Sequence, residues 1–241
     1  MLDNTLKKPK LVNPRTMIVF AHPKVGKTRL FLNLPGSYLL LDFEEGSHYY
    51  GGHRIDIPDF KTFWKLRKEL AAKKKMYDFI VLDTLTSMYK EVVNTFAVKL
   101  YNSDNGKKHP DNFDIETIAY GVGLKYKWKA AMKLIEILKK HCKTLIISAH
   151  VIERKSGETT KELGIKEIAI DGKFKHILAL SVDAIGYLYR SDDFENTLSF
   201  NPSSGFIGGT RCEHLTGKEF IVSEKDEDTG VLTVNWSKIF I

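Results

Sequence analysis

The stretch VFAHPKVGKTRLFL, Val19–Leu32, puts a short polar turn between an apolar run, TMIVFA, and a segment, KTRLFLNL, whose apolar residues recur at helical spacing. A buried strand should enter this turn and a helix should leave it, stopping before Pro35-Gly36. Within the stretch, AHPKVGKT fits the pattern GxxxxGK[ST] with Ala21 at the first glycine position. That pattern carries meaning only between a strand and a helix start, the setting found here. Gly26 lets the backbone wrap closely on a phosphate, successive amides point into the loop, and the helix N-terminus adds a favourable dipole. Lys27 can reach β- and γ-phosphates as a point charge, and Thr28 can offer its hydroxyl to Mg²⁺. Pro23, Lys24, Val25, Gly26, Lys27, Thr28 and Arg29 are the candidate nucleotide contacts. Ala21 should constrain the first turn, because alanine tolerates positive φ poorly. The bland alternative is a strand-to-helix turn with a surface lysine.

Working outward, a phosphate cradle needs a carboxylate that orients Mg²⁺ from a nearby strand end. FIVLDT supplies Asp83 after four apolar residues; as a plain helix cap it would serve structure alone. The next residue is Thr84, which cannot activate water. The acids of LLLDFEEG offer a replacement: if that strand lies beside the phosphate-loop strand, Asp42, Glu44 and Glu45 sit at its carboxyl end, where open α/β sheets bind ligands. Glu44 is the candidate to orient the attacking water, with Glu45 as the fallback. LIISAH places Ser148 and His150 at the same rim, where His150 can sense a γ-phosphate and pass its presence into the following segment.

The wider pattern agrees. SYLLLDF, YDFIVLDT and KTLIISAH read as further strands, and HRIDI as a short one. DFKTFWKLRKELAAKKK, LTSMYKEVVNTFAVKLYN and Gly123 to His141 read as helices. Residues 151–172 are polar and charged without clear periodicity and read mostly as loop. DAIGYLYR, NTLSF, KEFIVSE and GVLTVNW are β-like runs separated by turn signals. The expected fold is α/β: a mainly parallel sheet with helices on both faces, extended by antiparallel C-terminal strands. One domain over 16–241 is expected, with a core at 16–190 and a β extension at 191–241, after an N-terminal arm at 1–15.

Composition sets bounds. With 43% hydrophobic and 28% charged residues among 241, and no apolar run near the ~20 residues of a membrane span, no membrane partner is expected. MLDNTLKKPK lacks the apolar region of a secretory signal, so a cytoplasmic location is expected. Cys142 and Cys212 stand too far apart for a CxxC metal knuckle. The net charge of +7 favours an anionic partner, though a basic, well-hydrated enzyme would show the same value.

AHPKVGKT, LLLDFEEG, FIVLDTLTSM and LIISAH, in this order over Thr16 to His150, resemble the RecA-type P-loop core. More narrowly they are similar to the phage nucleotide-binding ATPases that include RecA-like single-strand annealing proteins. In that group the loop often reads PPKxGKT, the second strand ends in an acid-rich segment, and a histidine replaces the glutamine switch. The resemblance implies that Gly26, Lys27 and Thr28 bind ATP and Mg²⁺, that Glu44 is the catalytic glutamate, that Asp83 is the Walker B carboxylate and that His150 is the switch. The segment after His150 would be a loop for single-stranded DNA, with Arg154, Lys155 and Phe174 as candidates. A homo-oligomeric filament or ring is implied, in which a neighbour supplies a positive charge, with Arg211 or Arg190 as candidate fingers. Other phage recombination or replication proteins would be partners, in an infected bacterial cell. No long DNA-binding domain is expected to flank the core.

Other basic stretches read as structure. In GLKYKWKAAMK, Trp128 falls on the apolar stripe with Leu124, Ala131 and Ile135, and the lysines form a solvated face. Lys73 to Lys75 suit a helix C-terminus, and Lys107, Lys108 and His109 sit in an exposed loop. Two other functions remain open: a nucleoside or nucleotide phosphotransferase, which would need an arginine-rich lid, and a non-hydrolysing accessory module for helicase loading or DNA packaging.

Overall fold

All six residues of the run before the phosphate loop are buried, and they form β1 (Thr16–Ala21), a central strand of one large sheet. The computed structural model describes residues 12–73, 76–154, 165–170, 172–191, 195–202 and 205–241. From β1 the chain passes through α1 (Lys27–Phe31) to β2 (Tyr38–Asp42) and β3 (Arg54–Asp56). There follow α2 (Phe60–Lys73), β4 (Tyr77–Asp83), α3 (Leu85–Asn105), α4 (Val122–Lys139) and β5 (Cys142–Arg154). After β6 (Ile165–Ile168) and α5 (Phe174–Ser181) come β7 (Ala184–Arg190), β8 (Asn196–Ser199), β9 (Gly209–Thr210), β10 (Glu219–Lys225) and β11 (Leu232–Val234).

The strand order is β11-β10-β8-β7-β1-β5-β4-β2-β3. β3, β2, β4, β5, β1 and β7 run parallel, and β8, β10 and β11 add on antiparallel. The fold is therefore the expected α/β one, a mostly parallel sheet with an antiparallel C-terminal edge. One expectation needs correction: β2 is not the neighbour of β1, since β5 and β4 lie between them. The acids after β2 reach the phosphate loop because the chain curls back along the rim, not because the strands touch.

Alternation along the strands divides the core. Ile18, Phe20, Leu41, Ile80 and Ile147 pack with α2, α3, α4 and α5 on one face. Met17, Val19, Leu40, Val81 and Ile146 pack on the other against Leu30 and Phe31 of α1 and against Trp236 and Ile239. Both faces are covered, but four of the helices share one side. The helix after the phosphate loop is shorter than its pattern predicts, five residues ending at Phe31, and α3 runs on to Asn105, where Gly106 closes it with φ 61°.

The segment after His150 differs most from expectation. β5 continues past His150 to Arg154 and pairs antiparallel with β6, Val151 opposite Ile168 and Arg154 opposite Ile165. Among the described residues of this segment, 151–154 and 165–168 form a β-ribbon where a loop was expected. Its polar residues conceal the strand period: the outer end is exposed, Ile152 at 47% and Ile165 at 41%, while Ile168 at its base is buried in the core.

Candidate nucleotide site

The phosphate loop makes its turns at Lys24 (φ 65°) and Gly26 (φ 106°). Ala21 is the last residue of β1 and has no positive φ, so the expected constraint there does not arise. Gly26 occupies the N-cap of α1 in the left-handed region, which strains any L side chain even though Arg190 and Asn196, its nearest neighbours, leave space for a Cβ. Left-handed residues close together turn successive amides toward one concavity, the geometry that suits a phosphate. Because α1 has only five residues, those amides matter more here than a helix dipole.

Lys27 is buried, and its Nζ donates to the carbonyls of Ala21 (3.4 Å) and His22 (3.2 Å) at the loop entrance. Burial lowers its pKa, with the charges of Asp83 and Glu44 opposing. The Thr28 Oγ1 donates to Asp83 Oδ2 at 2.6 Å, so the two candidate Mg²⁺ ligands already meet. Asp83 is 4% exposed, and burial pushes its carboxyl above the ordinary range, with the Thr28 hydrogen bond opposing. Its Oδ1 is buried without a hydrogen-bond partner among the described residues, and the nearby Ser148 hydroxyl favours the charged form. A buried, unpartnered carboxylate oxygen beside a threonine hydroxyl fits Mg²⁺, which takes oxygen ligands and binds through one or two protein groups plus substrate phosphates. Among the described residues no group of three or more His, Cys, Asp or Glu forms a cage for a metal, so such an ion would depend on the nucleotide.

Glu44 belongs to a loop shaped by Asp42. Buried Asp42 accepts from the backbone amides of Glu44 and Ser47, each at 2.8 Å, and from the Ser47 hydroxyl. Glu44 Oε1 accepts from Thr84 Oγ1 (2.5 Å), Ser87 Oγ (2.6 Å) and His150 Nε2 (2.9 Å). Burial alone would raise its pKa, but His150, Ser87 and Thr84 together bring it down to about 2. Glu45, the fallback, is exposed with φ 58° and turns the chain into the following 3-10 turn. Four sequence candidates, Lys27, Thr28, Asp83 and Glu44, thus converge, and His150 completes them. The hydroxyls of Thr84 and Ser87 were missed; the signal was the hydroxyl-rich TLTS directly after Asp83.

On the other side of the loop, Arg190 at the end of β7 donates from Nη2 to the Val25 carbonyl at 3.1 Å. It therefore supports the loop of its own chain. With Gly26, Arg29, Asn196, Lys225 and Leu232 it lines a cavity of about 250 Å³. Asn196, 3% exposed, donates to Ser223 Oγ at 2.8 Å, and its Oδ1 has no partner among the described residues. This side lies across the phosphate loop from Glu44, since β7 and β2 are on opposite sides of β1 in the sheet.

The remaining candidates are scattered. Phe174 is fully buried and stacks on Tyr89 at 5.1 Å, so its assignment to a DNA loop is corrected: it is a core residue at the start of α5. Arg154 ends β5, its backbone paired with Ile165, and Lys155 lies outside the described residues. Arg211 donates to the Leu180 carbonyl (3.0 Å) and lies 3.7 Å from Asp183, which caps the start of β1 at the rim opposite the phosphate loop. Lys127 is not on a solvated face; it is buried, paired with Glu116, and lies 4.6 Å over the Tyr89 ring. His22 of the loop pairs with Glu153 of the ribbon at 3.4 Å, joining the two segments.

A parallel sheet with the GKT loop at its rim, and a threonine–aspartate pair beneath a held glutamate, define a P-loop nucleoside triphosphatase. The family profile described as an AAA domain matches residues 13–212, most of the chain, and the protein belongs to that family of ATPase domains. A search of curated proteins found no match. The family membership carries nucleotide binding and ATPase activity in general, usually with Mg²⁺. Among the described residues no helix is long and apolar enough to cross a membrane.

Proposed function

We propose that this protein hydrolyses ATP with Mg²⁺ and couples hydrolysis to single-stranded DNA, working as a homo-oligomer in DNA recombination, annealing or repair, in the phage setting its sequence motifs resemble. The observation that carries the hydrolytic part is the Glu44 carboxylate, held by Thr84, Ser87 and His150 over the Thr28–Asp83 pair. The amides of the turn cradle the phosphates, Lys27 exchanges its carbonyl partners for phosphate oxygens, and Thr28 with Asp83 holds the cation. Mg²⁺ supplies neutralisation of charge on the phosphoryl group being transferred. Glu44 orients the water for in-line attack. A carboxylate with a pKa of about 2 is a weak proton acceptor at neutral pH, so release of its hydrogen bond to His150 raises its basicity. Because β5 carries His150 at the rim and Glu153 on the ribbon, the hydrogen bond from Glu44 to His150 leads along one strand into the segment proposed to contact DNA.

The net charge of +7 and the projecting ribbon support DNA as the partner. The test is steady-state ATP hydrolysis with and without single-stranded DNA at low and moderate salt, with Lys27→Ala as the blank. Stimulation that weakens with salt supports the reading, since phosphate contacts release counterions. Turnover indifferent to DNA overturns the coupling and leaves a phosphotransferase or an accessory role.

A further inference from the structure

Part of the net charge of +7 lies on α2. α2 carries Lys61, Lys65, Arg67, Lys68 and Lys73 against one anion, Glu69. Its buried stripe of Phe63, Leu66 and Leu70 anchors it to the core, which leaves the cations on the outer side. Lys61 and Lys65 are four residues apart and Lys65 and Lys68 three, so the three lysines share one edge of the helix with ~5–6 Å between neighbouring Cβ atoms.

Beside that edge lies a cavity of about 860 Å³ between α2, α3 and the segment at Asp111. Phe60 and Trp64 line it and rest on buried Phe96, the three ring centroids standing 5.3–5.5 Å apart. The Arg67 guanidinium lies 4.5 Å over the Trp64 ring. Lys99 on the far wall is neutralised by Asp111 at 2.5 and 2.6 Å, and Asp59 lies near Lys61. Lys61, Lys65 and Lys68 form no ion pair among the described residues.

We infer that this groove is a binding site for single-stranded nucleic acid, with Lys61, Lys65 and Lys68 on successive phosphates and a base that displaces the Arg67 guanidinium from the Trp64 ring. Spaced cations beside aromatic rings suit this polymer, because every base offers a π-face and every linkage a charge. A duplex buries its base faces in its own stack and has no use for the rings. The inference rests on the proposed coupling to single-stranded DNA and deepens it, by placing strand contacts on α2 in addition to any on the ribbon.

The experiment measures fluorescence anisotropy of a labelled oligothymidylate of about 20 nucleotides, longer than the ~4–16 that one small binding fold covers, across a salt series. The variants are Lys65→Glu/Lys68→Glu and Trp64→Leu, with Trp64→Phe keeping a ring. ATP binding by each variant serves as the check on folding. The charge-reversed variant should lose at least about tenfold in affinity, and the salt slope should fall by about 1.4, because two phosphates are no longer neutralised. Trp64→Leu should lose roughly 5- to 150-fold, the effect of one stacked base, and Trp64→Phe should recover most of it. If the wild-type protein binds the oligomer and the charge reversal stays within twofold, the groove is refuted while the DNA reading stands. If the wild-type protein does not bind at low salt, both fall. Loss of binding to phosphatidylserine vesicles by the same variants, with oligomer binding unchanged, also refutes the groove and makes it a membrane-surface site.

Discussion

Replacing Glu44 by glutamine keeps its shape and removes its charge. In the native protein three donors hold the carboxylate at a pKa of about 2, against an ordinary 4.5. At ~1.4 kcal/mol for each unit of pKa, the full difference is about 3.5 kcal/mol. The side chain is 30% exposed, so solvent screening reduces this to ~1–2 kcal/mol. The sign follows from the lowered pKa: the stabilisation is complete above pH 4.5 and is lost as pH falls toward 2. Glu44→Gln should therefore melt a few degrees lower at pH 7, at ~2–4 °C for each kcal/mol in a chain of this size, and the gap should close near pH 2. Its catalytic effect is larger and separate. Loss of the water-orienting group should lower kcat by ~10²–10⁴-fold, while ATP affinity, set by the phosphate loop, stays within about threefold. Single-turnover phosphate release and equilibrium binding of a fluorescent ATP analogue measure the two quantities. Hydrolysis within threefold of wild type would refute the assignment of Glu44, and an unchanged melting temperature at pH 7 would refute the stabilisation argued from its three donors.

Other expectations follow from single contacts. Lys27→Ala should abolish measurable turnover and weaken ATP binding, because the loop loses its one cation placed for the β- and γ-phosphates; wild-type turnover in that protein would remove the site. Arg190→Ala deletes the donor to the Val25 carbonyl and should raise the Kd for ATP about tenfold, or ~1.4 kcal/mol, as calorimetry can determine. Gly123→Ala would set a Cβ 1.6 Å from the Ile115 carbonyl oxygen, so α4 must shift off the turn at 115–117, with a loss of ~1–3 kcal/mol in urea unfolding. Asp78, held at about 2 by Lys143 and Ser37, adds stability above its ordinary pKa of 3.8 that disappears as pH falls toward 2; Asp78→Asn should flatten that part of the acid-unfolding curve.

How far the residues alone reach depends on whether their role is local. A loop that must bend at Gly26 and present Lys27 and Thr28 to phosphate needs a contiguous string, so AHPKVGKT was legible unaided. Strand ends marked by acids after apolar runs were legible too, because burial on both faces demands four or five apolar residues in a row, and Asp42 and Asp83 break such runs. That local grammar determined the α/β class and the antiparallel tail, and it singled out Lys27, Thr28, Asp83, His150 and the Glu44–Glu45 pair as candidates.

Tertiary structure decided what depends on partners distant in sequence. Glu44 and Glu45 are adjacent and chemically alike; the choice is made by Thr84, Ser87 and His150, which are 40, 43 and 106 positions away. Phe174 and Lys127 read as surface residues in their own segments and are buried because both meet Tyr89 on α3. The ribbon after His150 has no apolar period, since only its base, at Val151 and Ile168, meets the core and its outer end is paired through the backbone alone. Arg190 joins the phosphate loop only because β7 lies next to β1 in the sheet, and strand order is settled by how whole elements pack, which no single stretch of residues encodes.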